Sequence, residues 1–131
     1  MIAKEDGPGT LHLAFGDGPI DYRPPRWPDP DHPQQLHLDI PVNDMEAAEQ
    51  LVLRLGGTPL QDQGDYRSYA DPVGHPFCLY LEAPDEDPAG RALSGRVGRV
   101  VIDCFSPRAL AGFYAELLDM PGASWTHRTG W

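Results

Sequence analysis

The chain has 131 residues, 40% of them hydrophobic, with 20 acidic against 10 basic residues and a formal net charge of −10. That length suits one domain able to bury a core without disulfides, and the negative field argues against nucleic acid and anionic membrane surfaces as partners. No run approaches the roughly 18 apolar residues of a membrane span, the opening MIAKEDGPG lacks the apolar core of a secretory signal, and the two cysteines lack CxxC spacing. The natural setting is cytoplasmic, with Cys78 and Cys104 as two buried free thiols inside apolar runs.

In chain order, residues 10–15, TLHLAF, alternate in polarity and predict a strand. Residues 16–33 hold six prolines and no helical period, which predicts a rigid, extended connection in which Trp27 packs on the surface or covers a pocket mouth. Residues 36–57, LHLDIPVNDMEAAEQLVLRLGG, then read as a strand, a capped turn and an amphipathic helix. Leu36, Leu38, Ile40 and Val42 share one strand face, and His37, Asp39 and Pro41 share the other. Asn43 or Asp44 can cap the helix, Met45, Ala48, Val52 and Leu55 form its buried stripe, and Gly56-Gly57 ends it. Two short strands, TPLQD and YRSYAD, flank a turn at Gly64. The turn DPVGHP, with His75 structural or solvent-exposed, leads into a third alternating strand, FCLYLE.

Residues 83–96 are polar and rich in Pro and Gly, the clearest linker in the chain. Beyond it the strand-turn-helix pattern returns, 62 positions after its first appearance. A strand is predicted over 99–104, with Ser106 as cap, Pro107 at the first helical position and a helix to about Leu118. Leu110, Phe113, Tyr114, Leu117 and Leu118 give that helix an apolar stripe.

The stretch LHLDIPVNDMEAAEQLVLRLGG followed by YADPVGHPFCLYLE resembles the glyoxalase/bleomycin-resistance/extradiol-dioxygenase superfamily, whose architecture is the vicinal oxygen chelate fold. VIDCFSPRALAGFYAELLDM resembles the opening of the first module in its actinobacterial glyoxalase-like branch. PPRWPDPDHPQQLHLDI resembles the join to the second module. The resemblance implies an α+β protein in which two βαβββ modules form a cup-shaped mixed sheet with helices outside. The modules stand in permuted order here. Residues 1–131 read as a single glyoxalase-like domain, with 35–83 as the contiguous βαβββ module and 84–96 as a linker. Residues 97–131 plus 1–34 then make the second module, split by circular permutation. Closure within one chain uses each piece once. Exchange of 97–131 in a homodimer, or a piece of a longer tandem protein, are the other arrangements.

Strand alternation puts the side away from the helices toward the cavity. It nominates His37 and Asp39, then Cys78, Tyr80 and Glu82, then Arg99 and Asp103, and His12 from the N-terminal strand, as ligand-binding residues. The superfamily's metal enzymes place a ligand on the first and last strand of each module. By that resemblance His37 fills one such position, Cys78 falls where a carboxylate is expected, and Arg99 falls where a histidine is expected. Arginine stays protonated and cannot ligate a metal. No complete metal site and no cofactor are therefore expected. His12, His37 and Glu82 are the only candidate set for a divalent ion. Cys78 as a nucleophile would need His37 as its base, and its place between Phe77 and Leu79 reads as packing. The expected function is binding of a small organic molecule, as in the bleomycin-resistance members. The alternative is a metal-dependent lyase, isomerase or dioxygenase using His37. No catalytic residue is assigned.

Overall fold

The structure is a computed structural model, and it describes residues 20–32, 36–81 and 95–120 together with Leu13 and Phe15. The predicted strand at 10–15 and most of the linker at 84–96 lie outside the described residues, as do His12 and Glu82.

Strand β1 (Leu36–Val42) runs into helix α1 (Met45–Arg54), followed by β2 (Thr58–Asp62), β3 (Tyr66–Ala70) and β4 (Pro76–Leu81). This is a β-α-β-β-β unit. The helix starts where Asp44 leaves extended geometry and its carboxylate accepts the Ala47 N–H at 3.0 Å, satisfying one of the orphan donors of the first turn. It stops where Gly56 takes φ of +89°, a backbone region that other residues enter at a cost. Because α1 carries the chain across one face of the sheet, β4 returns parallel to β1, with β3 and β2 joined outward as antiparallel neighbours.

The second strand-turn-helix gives β5 (Arg99–Ile102) and α2 (Pro107–Leu117). β5 adds to the free edge of β1, antiparallel, and completes a mixed five-stranded sheet of order β2-β3-β4-β1-β5. Leu38 lies opposite Val100, its own counterpart 62 positions on, so the two copies meet at their first strands in a local two-fold relation. The fold class is α+β with an open mixed sheet, as expected for a glyoxalase-like architecture.

The core lies between α1 and the sheet. Val42, Met45, Ala48, Tyr69 and Leu79 are buried, and Ile40, Val52 and Phe77 pack against them. The Tyr69 and Phe77 rings lie 5.7 Å apart, stacked across the β3–β4 ladder. Burying such side chains contributes about 1.5–3 kcal/mol each.

Several expectations are corrected. Leu55 does not belong to the α1 stripe: it is the C-cap residue and is 68% exposed, because the helix ends at Arg54. The strand expected over 99–104 stops at Ile102, which leaves Cys104 exposed in the connection to α2 while Cys78 is buried. Ser106 stands at the N-cap of α2 but makes no side-chain cap bond. The apolar stripe of α2 covers nothing among the described residues. No residue of α2 is buried, and Phe113 and Leu117 are more than half exposed. Residues 20–32 form no strand. The chain folds back on itself there, with Arg26 N–H donating to the His32 carbonyl at 3.0 Å. Burial on β1 favours the polar face: Leu36 is exposed, whereas His37, Asp39 and Pro41 are buried.

Candidate functional site

The face of the sheet away from α1 carries the candidate site. Strand register sets its geometry. Ser68 on β3 stands beside Cys78 on β4, Cys78 beside Asp39 on β1, and Asp39 beside Arg99 on β5. One row thus crosses four strands with a hydroxyl, a thiol, a carboxylate and a guanidinium. One step along, Pro41 pairs with Tyr80. Gly98 passes close over them. Its N–H donates to the Asp39 carbonyl at 2.9 Å, and a Cβ at this position would overlap the Tyr80 hydroxyl. A side chain at Gly98 would therefore have to push the Tyr80 ring aside.

His37 is the hub. Its Nε2 lies 3.5 Å from Asp39 Oδ1 and its Nδ1 3.7 Å from Asp103 Oδ2. The His37 and Asp39 side chains are each only 1% exposed. Burial alone would pull the imidazole pKa down. The Asp39 carboxylate and the Cys78 sulfur beside the ring, which favour its charged form, more than offset that and hold it at about 9. His37 is accordingly an imidazolium at neutral pH. On the other side of Asp39, Arg99 Nε sits 3.2 Å from Oδ2, and the guanidinium carbon lies 4.7 Å from the centroid of the Tyr80 ring. Cys78 Sγ is 3.4 Å from Ser68 Oγ in the buried layer.

Six of the eight residues nominated from the sequence are described, and the structure brings all six together: His37, Asp39, Cys78, Tyr80, Arg99 and Asp103. Sequence reasoning missed Ser68 and Gly98. Ser68 is an ordinary polar residue inside a strand, and only its pairing with Cys78 marks it. The "GR" immediately before an apolar run was the sole signal for Gly98.

A second polar cluster lies on the helix-bearing side. Arg67 reaches Glu46 at 2.6 Å, Glu49 at 3.0 Å and Asp62 at 3.3 Å, and the Tyr69 hydroxyl donates to Glu49. These groups border an open groove of about 270 Å³. Burial, then the bond to Glu49, pushes the Tyr69 phenol up. Every charge in this cluster has its partner within it, so the cluster ties α1 to the sheet edge. His75 is exposed in its turn and meets the Tyr22 hydroxyl at 2.7 Å.

A family model described as a glyoxalase-like domain matches residues 3–80. The chain belongs to the glyoxalase-like domain family. It is thereby a member of the vicinal oxygen chelate superfamily. The second strand-helix copy lies beyond the glyoxalase-like match. No curated protein and no solved structure matches the chain.

Glyoxalase-like enzymes often use a metal ion, which needs a set of donors converging on one point. His37, Asp39 and Cys78 each offer a ligand atom, all within 4.8 Å of one another, and could hold an ion. This trio differs from the set expected from sequence, of which only His37 is described. A thiolate, an imidazole and a carboxylate suit a soft or borderline ion rather than the oxygen-and-nitrogen set of the family's enzymes. The second copy supplies no donor at the matching strand position. It supplies Arg99, a permanent cation, 3.2 Å from the carboxylate that an ion would need. Among the described residues, the donor set does not match the family's two-module metal site.

Proposed function

We propose that this glyoxalase-like protein binds a small organic molecule on the polar face of its sheet, without the complete metal site of the family's enzymes. One observation carries the reading. Three adjacent strands, with the residue that follows β5, deliver His37, Asp39, Cys78, Tyr80, Arg99 and Asp103 to one surface, where Arg99 meets the Asp39 carboxylate. Acids and bases that neutralise each other on one sheet face, His37 and Asp39 buried and Arg99 and Asp103 reaching solvent, give a polar surface for a ligand. The chemistry around them is already balanced without an added ion. The setting is cytoplasmic, where thiols stay reduced.

A screen of small organic molecules by thermal shift, repeated with Tyr80→Ala and His37→Ala, tests the reading. Stabilising compounds that lose their effect in both variants support it, and compounds that act equally on all three proteins overturn it. The second reading, a metal-dependent lyase, isomerase or dioxygenase using His37, draws on the His37–Asp39–Cys78 trio. Elemental analysis of protein purified without chelator decides between them. Stoichiometric Fe, Mn, Ni or Zn that vanishes in His37→Ala would establish the second reading and remove the first.

We further infer that the second module is completed across a homodimer, residues 97–131 of one chain with 1–34 of another. The exposed stripe of α2 and the outer edge of β5 support this. Both are surfaces that a βαβββ module covers in the first copy, where α1 packs over β4. Light scattering should give the mass of two chains; a monomer at every concentration would sink the dimer.

A further inference from the structure

Arg99 brings a permanent cation of this face to solvent. Its side chain is 52% exposed, while the Asp39 side chain it meets is 1% exposed. The contact uses Nε alone. The guanidinium lies against the Tyr80 ring, so its plane is held from below as well as at one corner. The four N–H groups on the two Nη nitrogens make no hydrogen bond among the described residues. A guanidinium needed only to neutralise Asp39 would meet the carboxylate with two parallel N–H bonds. This one meets it by a corner and leaves its fork for something else.

Among the described residues, local charge on this face is balanced, although the chain as a whole carries −10. Among the described residues the acids of this face are Asp39 and Asp103, and each already lies beside a basic group, Arg99 and His37 respectively. The rigid fork matches two oxygens of one group, which is the geometry of a carboxylate or a phosphate.

We propose that Arg99 is the anion-recognising residue of the polar face, its Nη edge binding the carboxylate or phosphate of a small organic anion while Asp39 and Tyr80 fix the guanidinium. This rests on the reading of that face as a ligand site, and it names the class of ligand. Lysine at this position would keep the charge and lose the fork. Gly98 serves the same end, since it lets β5 close on Tyr80 and so seats the ring under Arg99.

The test uses three probes at fixed ionic strength: benzoate, inorganic phosphate and neutral benzamide. Binding is followed by NMR shifts of the Gly98 amide, which the wild type and both variants share. Saturable shifts with benzoate or phosphate are expected in the wild type, weakened at least tenfold in both Arg99→Lys and Arg99→Gln. Which of the two anions binds more tightly assigns carboxylate or phosphate. Equal anion affinity in Arg99→Lys would overturn the fork, as would the absence of saturation with either anion. If benzamide saturates at the same face and ignores the Arg99 variants, the ligand site stands and anion recognition falls. If no probe saturates, both fall. Arg99→Lys is the conservative control for folding, checked by an unchanged amide spectrum away from β5.

Discussion

The two strand-turn-helix copies share a sequence pattern and differ in what the fold does with it. In the first, α1 is pinned over β4 and β1. Met45 and Ala48 are buried, Val52 packs against the core, and Arg67 and Tyr69 tie Glu46 and Glu49 to the sheet. In the second, β5 is secured to β1 by its backbone ladder, but α2 buries none of its residues. The apolar period of α2 is as regular as that of α1. Periodicity shows which side of a helix wants cover; the cover comes from tertiary partners. A strand edge can recruit a neighbour through hydrogen bonds alone, whereas a helix face needs a matching apolar surface.

The sharpest way to break the comparison is to remove one leucine from each half. Leu79 is 2% exposed at the centre of the core, so Leu79→Ala should cost about 2–5 kcal/mol, the usual loss for a buried leucine and its cavity. Leu117 is 63% exposed, so Leu117→Ala should change unfolding free energy by less than ~0.5 kcal/mol in dilute protein. Urea denaturation of both variants checks this. A loss above ~2 kcal/mol for Leu117→Ala in dilute solution would mean that α2 is covered within a single chain. The same variant should also weaken the proposed dimer, read by light scattering.

How far the sequence reached follows from the same contrast. The strand alternation at 36–42, the Asp44 cap and the glycines after the helix are local signals, and the β-α-β-β-β order could be read from them. Alternation also grouped the six described site residues on one face, since which residues share a face depends only on the pleat. Three things were not legible. Burial of His37 and Asp39 depends on Arg99 and Gly98, some 60 positions away, and on a register that no local pattern encodes. Leu55 and Cys104 went astray at element ends, where one residue decides between the inside of a helix or strand and a turn. Cys78 reads as packing in the sequence, and it is buried. Its approach to His37 and Asp39 needs the β1–β4 register, which the long α1 crossover sets.

Next in size is the pH response of the site. His37 has a folded-state pKa of about 9, above the roughly 6.5 of an unfolded histidine. The protonated imidazole therefore stabilises the fold fully below pH ~6.5. That contribution is lost as pH rises through about 9. Its full size is on the order of 3 kcal/mol. Urea unfolding between pH 6 and 9.5 should show stability falling with pH in the wild type, and a flatter profile in His37→Asn. Profiles of equal slope would mean that His37 is not the group being titrated. The helix-bearing side gives the control. Glu49→Gln breaks its ion pair with Arg67 without touching His37, so it should lower stability while leaving the slope intact.

The smallest effect compares the two helix starts. Both copies place a capping residue at the same point of the pattern, Asp44 before α1 and Ser106 before α2. Only Asp44 is engaged, accepting the Ala47 N–H at 3.0 Å with extended backbone (φ −138°, ψ 109°). Ser106 has φ −130° and ψ 80° and makes no such bond, although Pro107 follows it at the first turn. Proline removes one donor that would otherwise need a partner and presets the helical φ, so α2 can start without its serine. Asp44→Ala should therefore cost about 1 kcal/mol. It also loses a negative charge at the positive end of the α1 dipole, a contribution that added salt would screen. Ser106→Ala should cost less than ~0.3 kcal/mol, below the effect of a working cap. Equal losses at the two positions would show that Ser106 caps α2 in solution. The second copy would then be nearer to the first than its exposed helix face implies, since a formed cap fixes the entry angle at which a covering segment must meet α2.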